Sequence, residues 1–174
     1  LFGRYYHVKD GAPLDIGFHG YRSSALTDFA GGSELSFSMG HNLLLVDERA
    51  HGRSEGRTIT FGIQERWDAD SWVRYAVERF GADTEIILYG VSMGAATVLM
   101  ASGETLPENV KAVIADCGYT SEWDEFIWEA ETLHIPWFPV LNAASLLSKL
   151  RDGYDFKQAS ALEQVKKSDI PTLF

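Results

Sequence analysis

The sequence predicts an α/β fold, a mostly parallel sheet with helices packed on both of its faces. Three observations carry that prediction. Short apolar runs alternate with longer stretches of helical periodicity through residues 14–116. Leu43-Leu44-Leu45-Val46 is apolar without alternation, the mark of a strand buried on both faces. Finally, Gly90-Val91-Ser92-Met93-Gly94 stands between a β-like run at 85–89 and an alanine-rich helical stretch. A strand is expected to turn there directly into a helix.

Taken in order, residues 14–19 form a short apolar strand that ends in His19-Gly20-Tyr21. A helix from Ser24 to about Met39 follows, weakened by Gly31 and Gly32. Residues 42–47 are the doubly buried strand. Over 65–80 the residues Trp72, Tyr75, Ala76 and Phe80 fall at helical spacing, and Gly81 ends the helix. The strand at 85–89, a helix running to about Gly103, and a strand at 110–116 complete the regular part. From Tyr119 to about Asp169 the alternation breaks. Helical patches at 121–132 and 140–150 are joined by His134-Ile135-Pro136-Trp137-Phe138-Pro139, and three of the five tryptophans (Trp123, Trp128, Trp137) lie here. That concentration marks a compact apolar insertion. Ile170-Pro171-Thr172-Leu173-Phe174 reads as the start of a further strand.

Composition narrows the function classes. With 174 residues, 45% of them hydrophobic and 23% charged, the chain can bury an ordinary globular core. A formal net charge of −10 and the lack of a basic cluster argue against nucleic acid as a partner. No apolar run reaches the length of a membrane span, and no signal peptide opens the chain as it stands. One cysteine, Cys117, excludes an internal disulfide and a C-x-x-C metal site, which fits a reduced, cytoplasmic setting. Histidines and carboxylates do not cluster at metal-ligand spacing, so neither metal nor cofactor is expected. The glycine fingerprint of a dinucleotide fold is absent after the first strand.

The pattern Gly90-x-Ser92-x-Gly94 in a strand–turn–helix setting points to acyl transfer through a serine. At such a turn the apical residue is held in a strained conformation with its hydroxyl clear of the sheet. Flanking glycines remove the side chains that would collide, and Ala95 and Ala96 let the helix lie close.

Four stretches in order extend this: His19-Gly20-Tyr21, Asp47-Glu48-Arg49-Ala50-His51-Gly52-Arg53-Ser54, the 90–94 turn, and Asp116-Cys117-Gly118-Tyr119-Thr120-Ser121. Together they resemble the α/β-hydrolase superfamily, and more narrowly bacterial serine hydrolases of the serine-aminopeptidase-like and prolyl-oligopeptidase-like groups. The likeness covers nearly the whole chain. It implies an α/β-hydrolase core over 1–118 and 170–174, incomplete at its C-terminus, with a helical cap inserted over 119–169. It implies Ser92 as nucleophile and the N–H groups of Met93 and Tyr21 as oxyanion donors. His19 would support the oxyanion loop, and Asp47 and Arg49 would brace the loops around the family-like turn that holds His51, while Ser54 and Ser121 serve as turn or N-cap serines. Aromatics of the insertion (Trp123, Phe126, Trp128, Trp137, Phe138) would cap the site, with Trp123 and Trp128 as substrate contacts.

A serine hydroxyl needs a base, and the base needs an orienting acid. Downstream of Ser92 the only histidine is His134, and Asp116 ends the strand after the turn, so these two form one candidate pair. The resemblance instead implies an acid and a histidine beyond Phe174, because residues 170–174 look like the strand leading to the acid loop. The leading expectation is a hydrolase of small carboxylic esters through an acyl-enzyme on Ser92. An amidase or peptidase uses the same parts, and a non-catalytic binding protein of the same fold is the rival from another class.

Overall fold

Six strands build one sheet in the computed structural model, which describes residues 1–174. Along the chain they are β1 (Phe2–Tyr6), β2 (Leu14–Phe18), β3 (Asn42–Asp47), β4 (Ile86–Val91), β5 (Val110–Asp116) and β6 (Thr172–Leu173). The helices are α1 (Ala25–Ser38), α2 (Glu65–Phe80), α3 (Met93–Ser102), α4 (Glu122–Thr132), α5 (Trp137–Asp152) and α6 (Ala161–Val165). Across the sheet the order is β1-β3-β2-β4-β5-β6. Only β1 runs antiparallel to its neighbour; every other pairing is parallel.

The uninterrupted apolar run of β3 is explained by what lies on each side. Successive side chains of a strand point to opposite faces. Leu43 and Leu45 pack with Ala25 and Phe29 of α1, while Leu44 and Val46 belong to the main core beneath α2 and α3. Ala69, Val73 and Ala76 give α2 its buried stripe at helical spacing. All ten residues of α3 are buried, and the small Gly94, Ala95 and Ala96 of its first turn let it lie close to the sheet. On the other face Gly17 does the same for α1: a methyl there would stand 2.8 Å from Leu45 Cδ2 and 2.9 Å from Phe29 Cζ.

Two elements escape the sequence reading. Strand β1 carries Gly3 and Arg4 at its centre, which weakens its β signal. It is held by five register pairs to β3, by the Arg4–Asp47 ion pair at 3.1 Å, and by Ser54 Oγ accepting the Phe2 N–H at 2.8 Å. The short α6 packs on α3, and Tyr154, Phe156, Ala159 and Ala161 join the main core. Within 119–169, then, the later residues lie among the core side chains. Helices α4 and α5 instead expose Trp128, Phe138 and Leu150. Ser121 caps α4, its Oγ accepting the Asp124 N–H at 3.1 Å. Helix α5 begins at Trp137, three residues before the periodic run at 140–150. No helix is long and apolar enough to cross a membrane.

Glu122 opens α4 with its side chain fully enclosed and neither oxygen hydrogen-bonded. Burial, and then the charge of Glu65, raise its pKa from 4.5 to about 9. Between those values the folded chain holds a proton that the unfolded chain has released, so stability falls as pH rises. Glu122→Gln is expected to match the parent near pH 5 and to exceed it increasingly toward pH 9. Thermal unfolding of both proteins across that range measures the difference.

Candidate active site

The chain passes from β4 to α3 through one residue, Ser92, whose backbone is left-handed in φ (φ 53°, ψ −113°). A non-glycine residue there is strained and persists only where its surroundings fix it. Here the fixing contacts are backbone ones. Ser92 N–H donates to Asp116 O at 2.8 Å, and Ser92 O accepts the N–H of Ala96 at 3.1 Å. A methyl on Gly90 would meet Gly94 O at 2.2 Å, and one on Gly94 would meet Phe18 O at 2.1 Å. Both positions therefore exclude any side chain. The N–H of Met93, in the first turn of α3, has no acceptor within its helix. Its side chain is fully buried, so only its backbone faces the turn.

Beside Ser92 runs the loop His19–Ser23, close enough that a methyl on Gly20 would lie 3.3 Å from Ser92 Cβ. Three anchors hold this loop. Asp28, in the first turn of α1, accepts from Gly20 N–H (2.7 Å) and from Ser23 Oγ (2.5 Å). His51 Nε2 accepts the N–H of Arg22 at 3.1 Å, while its Nδ1 donates to Arg49 O at 2.9 Å. His19 Nδ1 donates to Gly20 O at 2.8 Å, and its Nε2 accepts the Glu48 N–H at 3.0 Å. Each imidazole is thus neutral, with its proton on Nδ1. The rings meet edge to face, 4.8 Å apart. Burial lowers the His19 pKa from 6.5, which suits an acceptor. The N–H of Tyr21 is left without a protein acceptor.

A family model described as the alpha/beta hydrolase fold matches residues 17–143. The chain belongs to the α/β-hydrolase family. This α/β-hydrolase is 30% identical over 141 residues to the uncharacterized protein YqkD of Bacillus subtilis, a match to 80% of this chain and 46% of that one. It superposes on the Pyrococcus furiosus esterase Pf2001 with a TM-score of 0.73 at 22% identity, covering 98% of this chain and 63% of the esterase. A lipase-esterase related protein from Clostridium acetobutylicum gives a TM-score of 0.58 at 19% identity, with 98% and 77% covered. The chain thus spans about half the length of its curated relative.

In this α/β-hydrolase Asp116 touches Ser92 only through its backbone carbonyl, and neither its carboxylate nor the His134 ring hydrogen-bonds to the serine. His134 is exposed beyond the end of α4 with its Nδ1 against Thr132 O (3.1 Å). The Asp116 carboxylate is exposed and hydrogen-bonded to neither of the other two. Asp47 and Arg49 brace the segment after β3. Asp47 accepts the Arg53 N–H at 3.0 Å, and Arg49 forms a two-pronged pair with Asp68 at 2.6 and 2.8 Å. Of the insertion aromatics, Trp123 is half-buried with Lys157 Nζ 3.8 Å over its ring and Trp137 against its edge, whereas Trp128 points outward and is 59% exposed.

A different aromatic file leads away from the serine. Tyr21 packs on Phe61 (5.0 Å between centroids), Phe61 on Phe126 (4.9 Å), and Phe126 on Phe156 (4.8 Å). Phe61 belongs to the loop before α2 and gave no signal in the sequence reading.

Gly94→Ala is expected to destabilise the fold by about 1–3 kcal/mol or more, because the new methyl meets unyielding backbone. A lowered urea midpoint at unchanged slope is the measurement.

Proposed function

We propose that this α/β-hydrolase hydrolyses carboxylic esters through an acyl-enzyme on Ser92. One observation supports the reading above others: Ser92 has a strained backbone at the β4–α3 turn with Gly20 against it, and the N–H groups of the adjoining Met93 and of Tyr21, next to Gly20, have no protein acceptor. In this reading Ser92 Oγ attacks the ester carbonyl carbon as its proton passes to a base. The C–O π electrons move onto the carbonyl oxygen, which the two N–H groups stabilise. Collapse expels the alcohol with the proton returned by the base, and water then releases the acid by the same steps reversed. A single side-chain donor of this kind is worth about 2.7–4 kcal/mol in the transition state. Both donors are backbone groups, so Met93→Ala and Tyr21→Ala retain them.

The base in this reading is not His134, whose imidazole is engaged elsewhere. It and its orienting acid come from outside the 174 residues, consistent with the greater length of YqkD and the Pyrococcus esterase. Helices α4 and α5 serve as a cap, and the substrate is a small ester; an amide would use the same groups. The unpartnered Ser92 hydroxyl also favours a second reading, a binding protein of this fold without turnover. A fluorophosphonate probe applied to the full-length gene product separates the two. Labelling that disappears in Ser92→Ala, together with loss of p-nitrophenyl ester hydrolysis, is the expected outcome. Absence of Ser92-dependent labelling overturns the esterase reading.

A further inference from the structure

Phe61 has a left-handed backbone (φ 50°), a conformation that costs a bulky aromatic residue energy and is held only under constraint. Its loop is tied down at several points. Glu65, itself 1% exposed, accepts from Thr60 N–H (2.9 Å), Thr60 Oγ1 (2.6 Å) and Gly62 N–H (2.9 Å). Thr60 Oγ1 in turn accepts the Gln64 N–H at 2.8 Å. From the opposite side Tyr119 Oη donates to Phe61 O at 2.9 Å, and Tyr154 Oη donates to Ile59 O at 3.2 Å. The next residue, Gly62, lies on α3: a methyl there would touch Thr97 N at 3.3 Å and Met100 Sδ at 3.1 Å.

The result of this bracing is the position of one ring. Phe61 is half-buried, tilted at 41° against Tyr21, whose neighbour Gly20 borders Ser92, and edge-on to Phe126 of α4. Core packing alone does not require a strained loop, since apolar positions on α2 or α4 could fill the same volume without it. Tyr21 remains 43% exposed, one residue from the glycine that borders Ser92, so the file offers an apolar wall that begins near the serine and runs to Phe126 of α4. At its exposed end the guanidinium of Arg22 lies over the Tyr21 ring at 5.2 Å.

We infer that Phe61 is a specificity-determining residue, the wall against which an apolar acyl group of the ester packs between Tyr21 and Phe126. Tyr119 is its positioning residue, acting through the Phe61 carbonyl. This rests on the ester-hydrolase reading above and names its substrate class, esters of apolar carboxylic acids larger than acetic acid.

The test uses p-nitrophenyl esters from acetate to octanoate on the full-length protein, with Phe61→Ala, Phe61→Leu and Tyr119→Phe. Fluorophosphonate labelling of Ser92 reports whether each variant retains its site. For Phe61→Ala, kcat/KM for butyrate and longer esters is expected to fall about tenfold to a hundredfold, through KM. Acetate is expected to change by less than about threefold, since it presents too little apolar surface to use the wall. Tyr119→Phe is expected to give a smaller loss with the same chain-length profile. Should Phe61→Ala fail to label, Phe61→Leu decides, with the loss expected to be greatest for branched and aryl acyl groups. Variants that label normally and keep the parent's acyl profile overturn the proposal and leave the esterase reading intact. So does a shift confined to a series of acetate esters of different alcohols. A parent protein that never labels at Ser92 removes both readings together.

Discussion

Where α3 begins, backbone lies against backbone: the Cα of Gly94 faces the carbonyl of Phe18, and that of Gly90 faces the peptide of Gly94. This contact sets the rest of the site. It lets the helix start against the ends of β2 and β4, and it compresses the reversal into one residue, Ser92. A wider turn would satisfy the chain at lower strain but would carry Ser92 away from the loop after β2. The strain is offset by neighbours that do not yield, since α3 is buried over its whole length and Ser92 N–H is anchored on β5.

Around that contact, buried polar side chains fix two loops that have no regular structure. The loop after β2 hangs on Asp28, His19 and His51; the loop before α2 hangs on Glu65, Tyr119 and Tyr154. A carboxylate suits this task because its two oxygens accept from several directions, and a neutral imidazole because it carries one acceptor and one donor on different edges of the ring. The cost is visible in Glu48, buried near Glu65, whose pKa rises well above 4.5 through burial and then through its neighbour's charge. Glu65, which organises the loop before α2, thus lies close enough to disfavour the ionisation of Glu48 and Glu122.

Much of this architecture is legible from residue order. The four central parallel strands, α2 and α3 announce themselves because each repeats one strong physical signal over many residues, either unbroken burial or helical spacing. The turn at 90–94 is legible because only glycine fits two of its positions. What stays hidden depends on partners far apart in the chain. Strand β1 becomes a strand by pairing with β3, some forty residues on, and a five-residue run containing glycine and arginine says little alone. The insertion aromatics show the same limit. Tryptophan count singles out Trp123 and Trp128, yet the ring beside Tyr21 is Phe61, which lies outside the insertion and is turned there by a carboxylate and a phenol.

One consequence of β1 concerns the transmission of force. Its first residues are stitched to the end of β3 by Arg4 on Asp47 and by Phe2 on Ser54, and Ser54 donates onward to Asp47 O. Asp47 also holds the Arg53 N–H, in the same stretch as His51, which grips the loop beside Ser92. An edge strand on the far margin of the sheet is therefore mechanically in series with the serine. Tugging or trimming at Phe2 loosens a tether that ends at Arg22.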